Sequence, residues 1–290
     1  MAPAGFVTRF APSPTGLLHL GHAYSALTAW DAAASADGVC LLRIEDADTA
    51  RVRAEYEAAI YEDLRWLGLT WPEPVMRQSE RHTAYAEALT HLGRLGVTYP
   101  CRCTRADIRC AIAAPQEGAD PSPAASAVYP GTCRTRAMSE AGPSDAIRLN
   151  LDNALRIAEG QRLHWTETGP AHAGCRTLDP TALREGVGDV VLARKDIGTA
   201  AYHLAVVVDD ADQGVTHIVR GEDLIEATPI HRLLQALLEL PVPVWHHHAL
   251  VRDEDGKRLA KRDDPRAIRT YRQAGLTPTD IRHLSEDSMR

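Results

Sequence analysis

The chain has 290 residues, 44% hydrophobic and 24% charged, the balance of a soluble globular protein with material for one large or two moderate domains. Its net charge of −7 argues against general affinity for nucleic acid, though not against a local basic groove. No apolar run is long enough to span a bilayer, and no basic stretch near Met1 leads into an apolar core; a cytoplasmic location is therefore expected, with the six cysteines serving as thiols or metal ligands rather than disulfides.

The first elements surround the stretch Arg9 to His22. Phe6 to Phe10 is an apolar-leaning run that predicts a strand. Pro12 and Pro14 hold the next residues extended, and Gly16 permits a turn or close backbone approach. A helix rich in alanine and leucine is predicted from Leu18 to Ala36. His19 and His22 then share one face near its start, and Gly21 leaves room beside them. A helix N-terminus with two imidazoles suits a polyphosphate; the plainer reading is a capped helix carrying two surface histidines.

Val39 to Ile44 predicts a buried strand, completing a strand–helix–strand unit of a parallel sheet. Glu45 then falls at the carboxyl end of a strand, where open α/β sheets place ligands, and a carboxylate there can bind an ammonium or simply pair with Arg43 or Arg51. Helices are predicted from Ala50 to Leu67 and from Glu80 to Leu95, with Trp66, Trp71 and Tyr85 as packing residues.

A different region opens after Tyr99. Cys101, Cys103 and Cys133 could supply three thiolates of a tetrahedral zinc site around an Ala/Pro/Ser-rich loop from Ala111 to Ala127, or hold no metal, since C-x-C is a short signal. By chemistry Cys110 is the preferred fourth ligand; Tyr129 is an unusual one, because a phenol titrates near ~10 and must be acidified by the metal. Strands are predicted from Ala146 to Leu151 and from Gly188 to Arg194, with a polar, irregular segment between them. The region from about 100 to 195 reads as an insertion between two halves of the sheet.

Tyr202 to Asp210 is almost wholly apolar, and periodicity does not decide between a buried strand and a short helix. Val215 to Arg220 predicts a strand, and Gly221 to Leu240 an amphipathic helix. Arg220 therefore sits at a strand end, either for ligand binding or paired with Asp223. His246, His247 and His248 alternate faces on a strand and cannot all converge on one metal, so they read as structural. The chain has only three lysines, and two of them, Lys257 and Lys261, lie in the basic stretch Asp255 to Arg262, a hint that an ammonium is needed there.

RFAPSPTGLLHLGH resembles the HIGH signature of class I aminoacyl-tRNA synthetases, in the form used by the glutamyl enzymes. The likeness continues through RIEDADTAR, AYHLAVVVDD and HIVRGEDLIEATP, and Gly256-Lys257-Arg258-Leu259-Ala260-Lys261 is similar to the KMSKS loop. There Arg258 keeps a charge where lysine is usual, and Ala260 lacks the usual hydroxyl. The resemblance implies catalysis by His19, His22 and Lys261, with ATP held by His19, Gly21, His22 and Lys261. It implies L-glutamate bound by Arg9, Ala11, Ser13, Glu45, Tyr202 and Arg220. Two arginines would meet two carboxylates, bidentate where geometry permits, and Glu45 the ammonium.

C-x-C followed by Y-x-x-x-C is similar to the zinc site of the short glutamyl-synthetase paralogues that modify queuosine, and favours Tyr129 over Cys110. The fold expected is α/β: a Rossmann-like parallel sheet in two halves (residues 1–99 and 196–245). An α+β zinc-containing domain at 100–195 splits it, and a loop with a short helical segment at 246–290 ends it. No anticodon-binding domain is expected. The implied activity is tRNA-independent adenylation of glutamate with ATP, magnesium expected alongside it. Transfer to the queuosine base of tRNA(Asp) follows, by a monomer with one structural zinc. The alternatives are a truncated synthetase charging the tRNA 3′ end, a ligase for a small amine, and a non-catalytic tRNA- or zinc-binding module.

Overall fold

In a computed structural model, residues 5–104, 106–108, 128–194, 199–251 and 267–288 are described. β1 (Val7–Phe10) and β2 (Val39–Ile44) pair in parallel from Val7–Val39 to Phe10–Leu42, and β3 (Met76–Arg77) extends the sheet beyond β2. Between β1 and β2 runs α1 (Leu20–Ser35), which buries Leu20, Ala23, Ala26, Leu27, Ala29 and Ala33. Four of those six are alanine, so the helix can approach its neighbours closely. α2 (Ala54–Trp66) and α3 (His82–Arg94) start a few residues inside their predicted spans. Tyr85 is buried, and Trp66 and Trp71 pack half-buried against the core around α1 and α2.

A second sheet carries β10 (His217–Gly221), β11 (Val244–His248) and β6 (His164–Glu167) in parallel, with β7 (Gly174–Thr177) antiparallel at its edge. The two sheets meet where β1 lies beside β10: the Thr216 amide donates to the Val7 carbonyl at 2.9 Å. Going outward from that seam, one sheet proceeds through β2 and the other through β11. A reversal of this kind leaves a crevice at the carboxyl ends of the strands.

A third, antiparallel sheet is ordered β4 (Thr98–Cys101), β5 (Ala146–Leu149), β8 (Val191–Arg194), β9 (Thr199–Ala200). The buried Asp189 carboxylate anchors it, accepting from Tyr99 Oη (2.5 Å), Arg134 Nε (2.8 Å) and the Leu151 amide (3.0 Å).

Three expectations change. The segment between Leu151 and Gly188 is not irregular: it holds α4 (Leu151–Ile157), β6, β7 and α5 (Pro180–Gly186). Elements of four and seven residues are too short to show a period. β6 also pairs with β11, so the second parallel sheet takes a strand from the region expected to be a separate insertion. The undecided run is a helix, α6 (Tyr202–Asp212); Leu204 to Asp210 are all buried, so no polar face existed to reveal its period. The expected helix after Gly221 divides into a 3-10 turn (Glu222–Ala227) and α7 (Thr228–Leu237), with Pro229 fitting the first helical turn. The C-terminal α8 (Ile268–Gln273) and α9 (Pro278–Asp287) bury Ile268 and Ile281 in the core shared with α1.

Asp63 of α2 is fully buried, and neither carboxylate oxygen has a hydrogen-bond partner among the described residues. Burial pushes its pKa up to about 6, against the pull of Arg272. A carboxyl raised in the folded state costs nothing below the unfolded value and destabilises increasingly as pH climbs through the folded value. Asp63→Asn should therefore raise the unfolding free energy at pH 7.5 by about 2 kcal/mol and change it little near pH 4. Denaturant titrations at the two pH values check this, and an equal effect at both would contradict it.

Candidate active site

A cleft of about 710 Å³ opens at the seam of the two parallel sheets. Arg9, Ala11, Ser13, His19, Gly21, His22, Glu45, Tyr202 and Arg220 all line it. Lys261, together with Lys257, Arg258 and Ala260 of its loop, and Cys110 lie outside the described residues.

His19 is the N-cap of α1. Its Nδ1 accepts from the Gly21 amide at 3.1 Å, and His22 Nδ1 accepts from the His19 amide at 3.2 Å. The imidazoles thus replace the usual short polar side chains in satisfying orphan amides of the first turn. With Nδ1 acting as acceptor, each neutral ring carries its proton on Nε2. The rings lie 3.8 Å apart between centroids. A Cβ at Gly21 would sit 3.1 Å from His19 Cε1, so a side chain there would crowd the ring.

The cations differ in their pairing. Arg9 donates through Nε to Asp210 (2.9 Å) and through Nη1 to the Val219 carbonyl (3.3 Å). The fully buried Arg43 shares Asp210 at 2.6 Å and reaches Glu45 at 3.4 Å. Burial raises the pKa of Glu45, and the guanidinium groups of Arg43 and Arg9 work against that rise. Asp210 moves the other way: its two arginines overcome burial and hold it below the ordinary carboxylate range.

Arg220 is 5% exposed and makes no ion pair with a carboxylate among the described residues, so the pairing with Asp223 is not observed. Its donors reach His247 Nε2 (2.9 Å), Tyr202 Oη (3.4 Å), His231 Nδ1 (3.2 Å), the Leu224 carbonyl (3.1 Å) and Thr228 Oγ1 (2.8 Å). Burial lowers its pKa. The three consecutive histidines indeed diverge: His246 bonds Thr168 Oγ1, His247 lies beneath Arg220, and His248 bonds Ser25 Oγ at 3.1 Å.

His247, His231, Thr228 and Glu167 were not singled out from the sequence as parts of this site. One signal existed: in β6 burial alternates, so Glu167 falls in phase with the buried Trp165, an unusual place for a carboxylate.

Away from the cleft, the Sγ atoms of Cys101, Cys103 and Cys133 lie within 4.8 Å of one another, with Cys103 and Cys133 at 3.5 Å. Tyr129 Oη is 3.4 Å from Cys101 Sγ and 3.5 Å from Cys103 Sγ. Zinc–sulfur bonds of about 2.3 Å in a tetrahedron imply sulfur separations of about 3.8 Å, so the group is near the size of a metal site. The Arg148 guanidinium lies 3.9 Å from the Tyr129 ring centroid.

Residues 6–284 match the family described as tRNA synthetases class I (E and Q), catalytic domain. The chain is 54% identical over 281 residues to a protein of Rhodobacter capsulatus named glutamyl-Q tRNA(Asp) synthetase, covering 96% of this chain and 99% of that one. It is 38% identical over 273 residues to a glutamate–tRNA ligase of Lawsonia intracellularis, and spans 54% of that relative's length. It superposes on the crystal structure of the glutamate-tRNA synthetase of Elizabethkingia anophelis with a TM-score of 0.71 at 26% identity, covering 90% of this chain and 53% of that one. The chain thus spans about half the length of such longer synthetases. With the motifs of the cleft inside a match that runs almost from end to end, the chain belongs to the class I tRNA synthetases of the E and Q type, a family of ligases.

Proposed function

We propose that this chain activates L-glutamate with ATP and transfers the glutamyl group to the queuosine base at the wobble position of tRNA(Asp). The observation that carries the glutamate assignment is the state of Arg220: a buried cation in the cleft wall held by neutral acceptors, and so electrostatically incomplete until an anion arrives. The relative of matching length, named for this reaction, supports the acceptor.

In this reading Arg9 and Arg220 receive the two carboxylates and Glu45 the ammonium. Tyr202 and Ser13 add hydroxyls, and Ala11 lies against the bound amino acid. The Nη1 contacts of Arg220, at 3.2 and 3.4 Å, are the longest in its set and the least costly to exchange for a carboxylate. The Nε2–H groups of His19 and His22, with Lys261, meet the ATP phosphates beside Gly21. Magnesium accompanies the nucleotide. The α-carboxylate attacks the α-phosphorus in line, and pyrophosphate leaves. Positioning and charge stabilisation supply the acceleration, with no protein nucleophile. A hydroxyl of the queuosine ring then attacks the activated carbonyl and releases AMP. The chain acts in the cytoplasm as a monomer. Residues 100–195 lie between the catalytic halves, 1–99 and 196–245, and face the tRNA except for β6, which joins the second parallel sheet; 246–290 supplies the phosphate loop.

Cys101, Cys103, Tyr129 and Cys133 would hold one zinc, whose role is to fix the surrounding chain rather than to polarise substrate.

Three measurements test these assignments. Glutamate-dependent exchange of pyrophosphate into ATP should exceed that with glutamine by a margin equivalent to about 2–5 kcal/mol, because a neutral amide leaves a buried guanidinium unpaired. Equal exchange would overturn the substrate. Labelled glutamate should enter tRNA(Asp) only when queuosine is present, and the label should stay with the anticodon fragment. Label at the 3′ end would instead identify a charging enzyme. Protein purified without chelator should contain one zinc, lost on Tyr129→Phe and kept on Cys110→Ser; the reverse pattern would make Cys110 the ligand.

A further inference from the structure

Two arginines at the seam, Arg9 and Arg43, rest directly on a carboxylate, Asp210, at 2.9 and 2.6 Å. Arg220 is built differently. Its Nε–H donates to His247 Nε2 at 2.9 Å, and His247 Nδ1 lies 2.6 Å from Glu167 Oε2. An imidazole that accepts on Nε2 and meets a carboxylate at Nδ1 is neutral, with its proton on Nδ1. Glu167 fixes that tautomer. It is itself clamped through Oε1 by the amides of Gly169 (2.7 Å) and His247 (3.0 Å), so it cannot swing onto Arg220. Gly169 must lack a side chain: a Cβ there would overlap the His247 carbonyl and lie 2.9 Å from Glu167 Oε1. On another side of the guanidinium, His231 accepts from Nη1 through Nδ1, and its Nε2 meets His203 Nδ1 at 3.2 Å, again a neutral acceptor.

We propose that Glu167 and His247 are positioning residues for Arg220: a carboxylate–imidazole pair that fixes the guanidinium while keeping the protein's own anion one ring away. This rests on the reading that Arg220 takes a substrate carboxylate. Direct contact with Glu167 would satisfy the arginine internally and oblige the substrate to compete with it. Insertion of a neutral ring roughly doubles the charge separation and weakens the internal attraction accordingly. The charge is still stabilised, because the imidazole dipole is oriented by the carboxylate beyond it. Glu167 comes from β6, so a strand from the middle of the chain would set the selectivity of an arginine carried by β10.

Glu167→Gln is the test. With its amide nitrogen towards His247 the glutamine can only donate, which moves the ring proton to Nε2 and sets it against Arg220 Nε–H. Turned over, it sets an NH2 against two backbone amides. The KM for glutamate in pyrophosphate exchange should rise about tenfold or more, with kcat at saturation and the KM for ATP nearly unchanged. His247→Gln, whose carbonyl can replace Nε2 as acceptor, should retain most glutamate affinity, and His247→Leu should lose it. Nitrogen-15 NMR should find His247 as the Nδ1–H tautomer in the wild type. An unchanged glutamate KM in Glu167→Gln, equal behaviour of His247→Gln and His247→Leu, or an Nε2–H tautomer in the wild type would overturn the proposal. Failure of the wild-type protein to exchange pyrophosphate with glutamate would overturn the underlying substrate reading instead. If Glu167→Gln does not fold, the His247 pair carries the same comparison.

Discussion

Asp210 is the interaction on which the seam depends. It is carried by α6 and buried, and it bonds Arg9 of β1 and Arg43 of β2 together. Its neighbour Asp209 accepts from Gln78, Arg81 and Tyr85, so two successive carboxylates tie α6 to β1, β2 and α3. Such a cluster is not chosen for raw stability, since hydrophobic replacements of buried ion pairs are often neutral or better. Its consequence is geometric. Loss of Asp210 alone would leave two arginines at 6% and 0% exposure without their nearest anion, an arrangement that typically costs several kcal/mol. Every nearby alternative packing carries that penalty, and the floor of the cleft is fixed as a result.

The same contrast separates the two cleft arginines that a dicarboxylate would meet. Arg9 is a cation already half satisfied, with Nε on Asp210 and Nη1 on a carbonyl. Arg220 is a cation with hydrogen bonds but, among the described residues, no adjacent anion. A ligand carboxylate therefore gains most at Arg220, and selectivity for charge over a neutral amide should concentrate there. Glu45 lies opposite in sign. Burial raises its pKa, and a nearby ammonium would favour its charged form. The site is thus incomplete in both charges, in a pattern that an α-amino dicarboxylate complements.

The sequence made β1, α1, β2 and the strand of Arg220 legible because each combines a clear period with a boundary signal, such as Pro12 and Pro14 before α1 or Gly38 before β2. It did not show α4, β6, β7 and α5, whose four- to seven-residue spans average out no period. It left α6 undecided because a helix buried on all sides and a buried strand have the same apolar content. Within the site, the residues facing the cleft were readable from motifs at strand ends and a helix start. Those beneath Arg220 were not, because Glu167, His231 and His247 lie 53, 11 and 27 residues away and acquire meaning only through tertiary contact.

His19 and His22 show how a short motif can cap a helix and still leave donors for a ligand. A helix cap and a phosphate-binding helix start are compatible in the same residues, because the capping bonds bear on both. Because Nδ1 of each ring accepts a backbone amide, the proton of the neutral ring is confined to Nε2, and the capping bonds by themselves pre-set two N–H donors. Aspartate could cap the helix equally well but would present no donor, and serine would present only a hydroxyl held close to the backbone. The requirement for glycine between them follows from the same geometry, since the Gly21 amide is the one that His19 accepts and any Cβ at that position would press on its ring. The capping role thus fixes the chemistry that the rings can offer, and the motif needs histidine, glycine and histidine at this spacing for one structural reason.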